Sequence, residues 1–117
     1  MALALNVYKT KVGIATTSSS QIYKAPVGYT GVVLCANVAN IGNFTQTVSL
    51  THNRPVRSSG TISTTVTEFF QKFPIESNDA FDAISGKLFL EPGDFIKIQA
   101  SNNTDIKYIF SILETLN

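Results

Sequence analysis

The chain has 117 residues, nine basic and eight acidic side chains for a net charge of +1, and a single cysteine, Cys35. That length allows one core and no separate catalytic insert; the even, unclustered charge excludes an electrostatic footprint for nucleic acid or an anionic membrane; one thiol excludes an internal disulfide or a thiolate metal cluster. Charged residues are 15% of the chain, against ~25% in an average soluble domain, which suits a subunit packed against neighbours.

Residues 1–5 are apolar but lack a basic flank, so they read as an N-terminal arm rather than a signal peptide. No apolar run approaches the ~18 residues of a membrane span, and the chain is expected to be made in a cytoplasm and to stay soluble. Residues 6–14 alternate Tyr8, Thr10, Val12 and Ile14 against Val7, Lys9 and Lys11, the period of a strand with one solvated side. A Ser/Thr-rich loop over 15–20 leads to a short strand at 21–25, stopped by Pro26, whose missing N–H cannot serve a central ladder. Residues 31–40 are the most apolar and are rich in β-branched side chains, so they are expected to form a central strand. Cys35 within them reads as a small buried core residue.

Residues 44–52 place Phe44, Gln46, Val48, Leu50 and His52 on one side and Thr45, Thr47, Ser49 and Thr51 on the other, a face that is wet or covered by a partner. Residues 53–60, with Arg54, Pro55, Arg57 and Gly60, read as an exposed loop. Residues 61–73 read as a strand with a break near Glu68. Asn78 or Asp79 is placed to cap one short helical turn over 80–84. The stretch 86–101 reads as a hairpin: Leu88, Phe89 and Leu90 in one strand, Pro92 and Gly93 at the centre of a type II turn, and residues 95–100 in the second strand. Residues 106–116 are nearly apolar on both faces, which predicts a place inside a sheet or against another subunit. The sum is an all-β chain: a single antiparallel β-sandwich, jelly-roll or Ig-like, of seven or eight strands with at most one helical turn.

Motifs that carry chemistry are missing from the pattern. His52 has no patterned acid and nucleophile and reads as a polar residue at a loop edge. Asp79, Asp82 and Asp94 lack EF-hand spacing, and turn bonding is enough to explain Asp94. Glu68, Glu76, Glu91 and Glu114 fall on different elements, and no glycine loop is followed by Lys-Ser/Thr. The expectation is a chain with no catalytic residues, no cofactor and no metal. The residues expected to contact a protein partner are Leu3 and Leu5 in the arm, Arg54 and Arg57 in the basic loop, and Ile109, Leu113 and Leu116 in the closing strand.

One layout runs through residues 21–114. Tyr23 precedes Pro26-Val27-Gly28; an apolar strand ends in Asn37-Val38-Ala39-Asn40; an alternating strand follows at 44–50; Glu91-Pro92-Gly93-Asp94 sits between two further strands; and Ser111-Ile112-Leu113-Glu114 closes the chain. This layout resembles small β-sandwich structural proteins in the virions of tailed bacteriophages. The resemblance implies a capsid decoration protein or a neck or tail accessory subunit. Such a subunit sits in the virion and assembles as a homo-oligomer with capsid, neck or tail proteins, without binding nucleic acid or membrane, and no catalytic residue carries over. A reading from another class is a module that binds a host-surface glycan or receptor through loop aromatics such as Tyr29 or Phe81.

Overall fold

The computed structural model describes residues 5–84 and 86–116, so Leu3 and most of the expected arm lie outside the described residues. Nine strands and no helix are assigned among them. In chain order these are β1 (Asn6–Ile14), β2 (Ser20–Lys24), β3 (Tyr29–Asn40), β4 (Gln46–Ser58), β5 (Thr61–Ile75), β6 (Asp79–Asp82), β7 (Leu88–Leu90), β8 (Phe95–Ala100) and β9 (Ile106–Leu116). Sheet A runs β1-β9-β3-β6, with β7 also on β3, and sheet B runs β2-β8-β4-β5. All pairs are antiparallel. Successive strands mostly alternate between the sheets, which is the jelly-roll form of the expected sandwich. The strand count exceeds seven or eight because β6 and β7 share one lane, β7 opposite Gly31–Val33 and β6 opposite Asn37–Asn40.

The core lies between the sheets and draws on both. Val33, Val38, Phe110 and Ile112 from sheet A meet Val48, Leu50, Ile96 and Ile98 from sheet B, none of them more than 1% exposed. Apart from the step at a bulge in β3, the buried residues alternate along their strands, so one face of each sheet is apolar enough to exclude water. As expected, β3 is central and β9 lies inside a sheet, between β1 and β3.

Several expectations are corrected. The turn at residues 91–94 forms, with Asp94 N–H donating to Glu91 O at 2.9 Å and Gly93 at φ 93°. Its flanking strands do not pair as a hairpin: β7 joins sheet A and β8 joins sheet B. The turn is stapled to Ala25, whose carbonyl accepts from Gly93 N–H and whose N–H donates to Asp94 O, both at 2.9 Å. Pro92 and Gly93 set a local bend, and a bend does not choose the partners of the strands on either side.

Residues 53–60 are not a loop. β4 continues to Ser58, turns at Ser59 and Gly60 with φ of 51° and 79°, and returns as β5. Two successive positive φ values are the signature of a hairpin turn that matches strand twist. β8 stops at Phe95, opposite Asn53, so from Arg54 onward β4 and β5 form a two-stranded ribbon beyond the sandwich. Pro55 is tolerated there because the other edge of β4 has no ladder to serve. The radius of gyration is 15.2 Å, against the ~13 Å of a compact chain of this length.

The break expected near Glu68 appears as register shifts: Leu50 pairs with Phe70, and Thr51 with Glu68. The expected helical turn over 80–84 is replaced by β6. Asn78 at φ 61° is a turn residue, and Asp79 N–H closes that turn on Glu76 O at 3.2 Å. Cys35 is exposed. A bulge at Leu34, between the pairs Val33–Ile112 and Cys35–Ser111, shifts the alternation so that Ala36 takes the buried position.

Candidate assembly surface

Two ionic brackets brace the sandwich from inside. On the inward side of β4 the run Val48, Leu50 continues as His52 and Arg54, where sheet A no longer covers it. Arg54 donates to Asp94 through Nε at 3.0 Å to Oδ1 and Nη2 at 2.7 Å to Oδ2. Asp94 Oδ2 also accepts from Glu91 N–H at 3.1 Å and lies 3.1 Å from His52 Nε2. The carboxylate is 2% exposed. Burial works to raise its pKa; the guanidinium, the Glu91 N–H and His52 outweigh that and hold it below the usual carboxylate range. Arg54 also reaches Glu91 Oε2 at 3.1 Å. The cluster therefore locks the root of the ribbon to the β7–β8 turn.

The second bracket links Tyr23 of β2 to sheet A. Tyr23 O–H donates to Glu114 Oε2 at 2.6 Å, and Lys9 Nζ lies 3.3 Å from the same oxygen. Burial, then the bond to Glu114, push the Tyr23 phenol up. Asn40, 1% exposed, does the same work at the far end: its Nδ2 donates to Phe44 O and Ile75 O, and its Oδ1 accepts from Gly42 N–H.

These groups are committed to structure. His52 lies on a strand beside an acid, not at a loop edge, and that acid also accepts from Arg54 and from Glu91 N–H. Asp79 and Asp82 sit on β6, apart from Asp94. No group of three or more His, Cys, Asp and Glu side chains among the described residues is arranged to hold a metal ion. Phe81 is not a loop aromatic: it packs with Phe70 and Phe73 at ring separations of 5.4 and 4.8 Å, sealing the side of the sandwich between β5 and β6. A cavity of about 210 Å³, lined by Thr47, Ser49, Gln71, Lys72, Gln99, Ala100 and Ser101, opens on sheet B. Another of about 490 Å³ opens beside the Leu34 bulge. Neither is lined by His52 or Asp94.

The outer faces of the two sheets differ. On sheet B the expected threonine face, Thr47, Ser49 and Thr51, is half-buried and lies in register with Gln99 and Lys97 of β8. Phe95 on that face is flanked by Lys24 and Lys97, whose ammonium groups are 5.9 and 5.8 Å from its ring centre. On sheet A the register aligns Tyr8, Leu113, Val32 and Phe89 in one row across four strands, and Val12 with Ile109 in another. Directly paired residues share a face. Tyr8 is 75% exposed, Val12 67%, Phe89 63% and Ile109 46%. The apolar side of β1 thus points out, and its lysines point to the inward side, where Lys9 meets Glu114.

Of the expected contact residues, Ile109 and Leu113 share this outer face. Leu5 is exposed at its end, and its carbonyl accepts from Leu116 N–H at 2.8 Å. Leu116 is half-buried opposite Tyr29. Arg57 is exposed on the ribbon, and Arg54 is taken up by the internal bracket. Tyr8, Val12 and Phe89 were not singled out from the sequence, because alternation defines two faces of a strand without saying which one meets the core.

No known protein family and no curated protein matches the chain. Among solved structures it is similar to a chain described under "Bacillus endospore appendages form a novel family of disulfide-linked pili". The TM-score is 0.45 at 12% identity, covering 100% of this chain and 97% of that one. The disulfides and the pili belong to that protein.

Proposed function

We propose that this chain is a non-enzymatic structural subunit that assembles with other proteins through the outer face of sheet A, the arm and the ribbon. The observation that carries the reading is the apolar surface of β1, β9 and β7. Sheets with one exposed face normally present polar side chains to water, and a contiguous apolar patch on a small protein marks an interaction site. The commitment of Asp94, His52 and Glu114 to internal brackets supports a role without catalysis, cofactor or metal. The particle we propose is the virion of a tailed bacteriophage, assembled in the host cytoplasm with capsid, neck or tail proteins as neighbours; the layout of residues 21–114 supports that choice. Leu3, Leu5, Arg57, Ile109, Leu113 and Leu116 are assigned to contacts, and Arg54 to anchoring the ribbon. The test is to purify particles from cells producing the chain and to count it by quantitative mass spectrometry. A fixed copy number per particle, lost in Ile109→Asp, is expected. A folded chain that stays free in the soluble fraction and in no particle would sink the reading.

A further inference from the structure

We infer that the outer face of sheet A packs against the same face of a second copy, giving a two-fold dimer. This rests on the reading above that the chain is a structural subunit, and it specifies the partner.

Three observations point to a second copy meeting face to face. The first is size. β1 has nine residues, about 30 Å at ~3.3 Å per residue, and four strands at ~4.8 Å span roughly 19 Å, so the flat footprint is on the order of 600 Å² per copy. Two copies bury about 1,200 Å², above the ~1,000 Å² that a specific interface needs. The second is charge. The paired residues of the face include one cation, Lys107, and one anion, Asp82, both toward one end of the strands, and exposed Lys87, just before β7, lines the cavity at the bulge together with Asp82 and Cys35. Self-packing therefore opposes no block of like charge. The third is the edge. A copy could instead extend sheet A through the open side of β1. An antiparallel pair of β1 strands centred on Thr10 would set Lys9 of each copy opposite Lys11 of the other, and opposed like charges destabilise a ladder. Charged side chains on the inward side of an edge strand are a known block to such pairing.

Cys35 makes the proposal testable in the full chain. It is the sole cysteine, it is exposed, and the register puts it in the middle row with Thr10 and Ser111, between the row of Tyr8, Leu113, Val32 and Phe89 and the row of Val12, Ile109, Asn37 and Asp82. A two-fold axis through the middle of the face brings the two thiols within reach of a bismaleimide spanning about 10 Å, the separation of face-packed sheets. Sedimentation equilibrium is expected to give twice the monomer mass. The bismaleimide is expected to trap a covalent dimer, and both results should be lost in Ile109→Asp and, independently, in Val12→Asp, with unchanged far-UV circular dichroism. Lys9→Ala is expected to leave the dimer intact. A monomer at every concentration, a dimer that survives both aspartate variants, or a dimer in which Cys35 does not cross-link would overturn the inference. A chain that is monomeric alone but enters particles at fixed copy number would overturn the dimer and leave the structural-subunit reading standing.

Discussion

The two sheets of this sandwich share one core and have opposite exteriors. Over β8 and the part of β4 paired with it, sheet B shows water threonine, serine, glutamine and lysine, with Phe95 between two ammonium groups; its exposed apolar side chains, among them Ile62 and Val66, lie out on β5. Sheet A shows Tyr8, Val12, Phe89 and Ile109. Burial in the shared core cannot explain the difference, because both sheets fill that core with alternate residues of similar apolar character. The contrast is what the proposed packing of sheet A against a second copy would account for, while sheet B keeps its exposed apolar side chains out on β5 and its ribbon.

The largest effect should come from the bracket that roots the ribbon in sheet B. Arg54→Ala leaves the Asp94 carboxylate buried without its guanidinium, and urea unfolding should show a loss of about 3 kcal/mol. A loss within ~0.5 kcal/mol would mean the ribbon is not anchored there. The same bracket sets an acid limit. Because the Asp94 pKa is held below its unfolded value, its contribution is fully present above the unfolded carboxylate pKa near 3.9 and is lost as pH falls through the lower folded value. Asp94→Asn should flatten the fall in melting temperature below about pH 4, and an unchanged acid slope would remove Asp94 from the account.

The bracket on sheet A should be weaker. Tyr23→Phe removes one hydrogen bond to Glu114 while Lys9 remains, for an expected cost of about 1–2 kcal/mol in the same measurement. The smallest effects on the monomer should come from the exteriors. Lys97→Ala on sheet B forfeits a cation–ring contact worth roughly 0.5 kcal/mol and should leave sedimentation unchanged. Ile109→Ser on sheet A should shift stability by no more than ~0.5 kcal/mol yet reduce self-association. If the two exteriors respond alike, the comparison between them fails.

Much of the fold was legible in the residues. The period-two patterns located most strands, Pro26 and the Pro92-Gly93 turn punctuated the chain where expected, and the break near Glu68 is present as a bulge. Residues 53–60 resemble a loop in the sequence because Arg, Pro and Gly fall in one stretch, and only the pairing with β5 makes them a strand. Residues 88–100 resemble a hairpin in the sequence because two strands joined by a tight turn are neighbours along the chain, yet here each joins a different sheet. The brackets were invisible: Arg54 and Asp94 are 40 positions apart, and Tyr23 and Glu114 are 91 apart.

The amino-acid sequence by itself determined that this chain is made of strands and where most of them start and stop. Those properties are local, set by side-chain branching, alternation and turn residues. Only the tertiary structure decided which strands share a sheet, that the bulge at Leu34 turns Cys35 outward, and that β1 points its apolar side away from the core. Strand pairing and facing depend on partners far along the chain, and a period of two says that a strand has two faces without saying which of them water will touch.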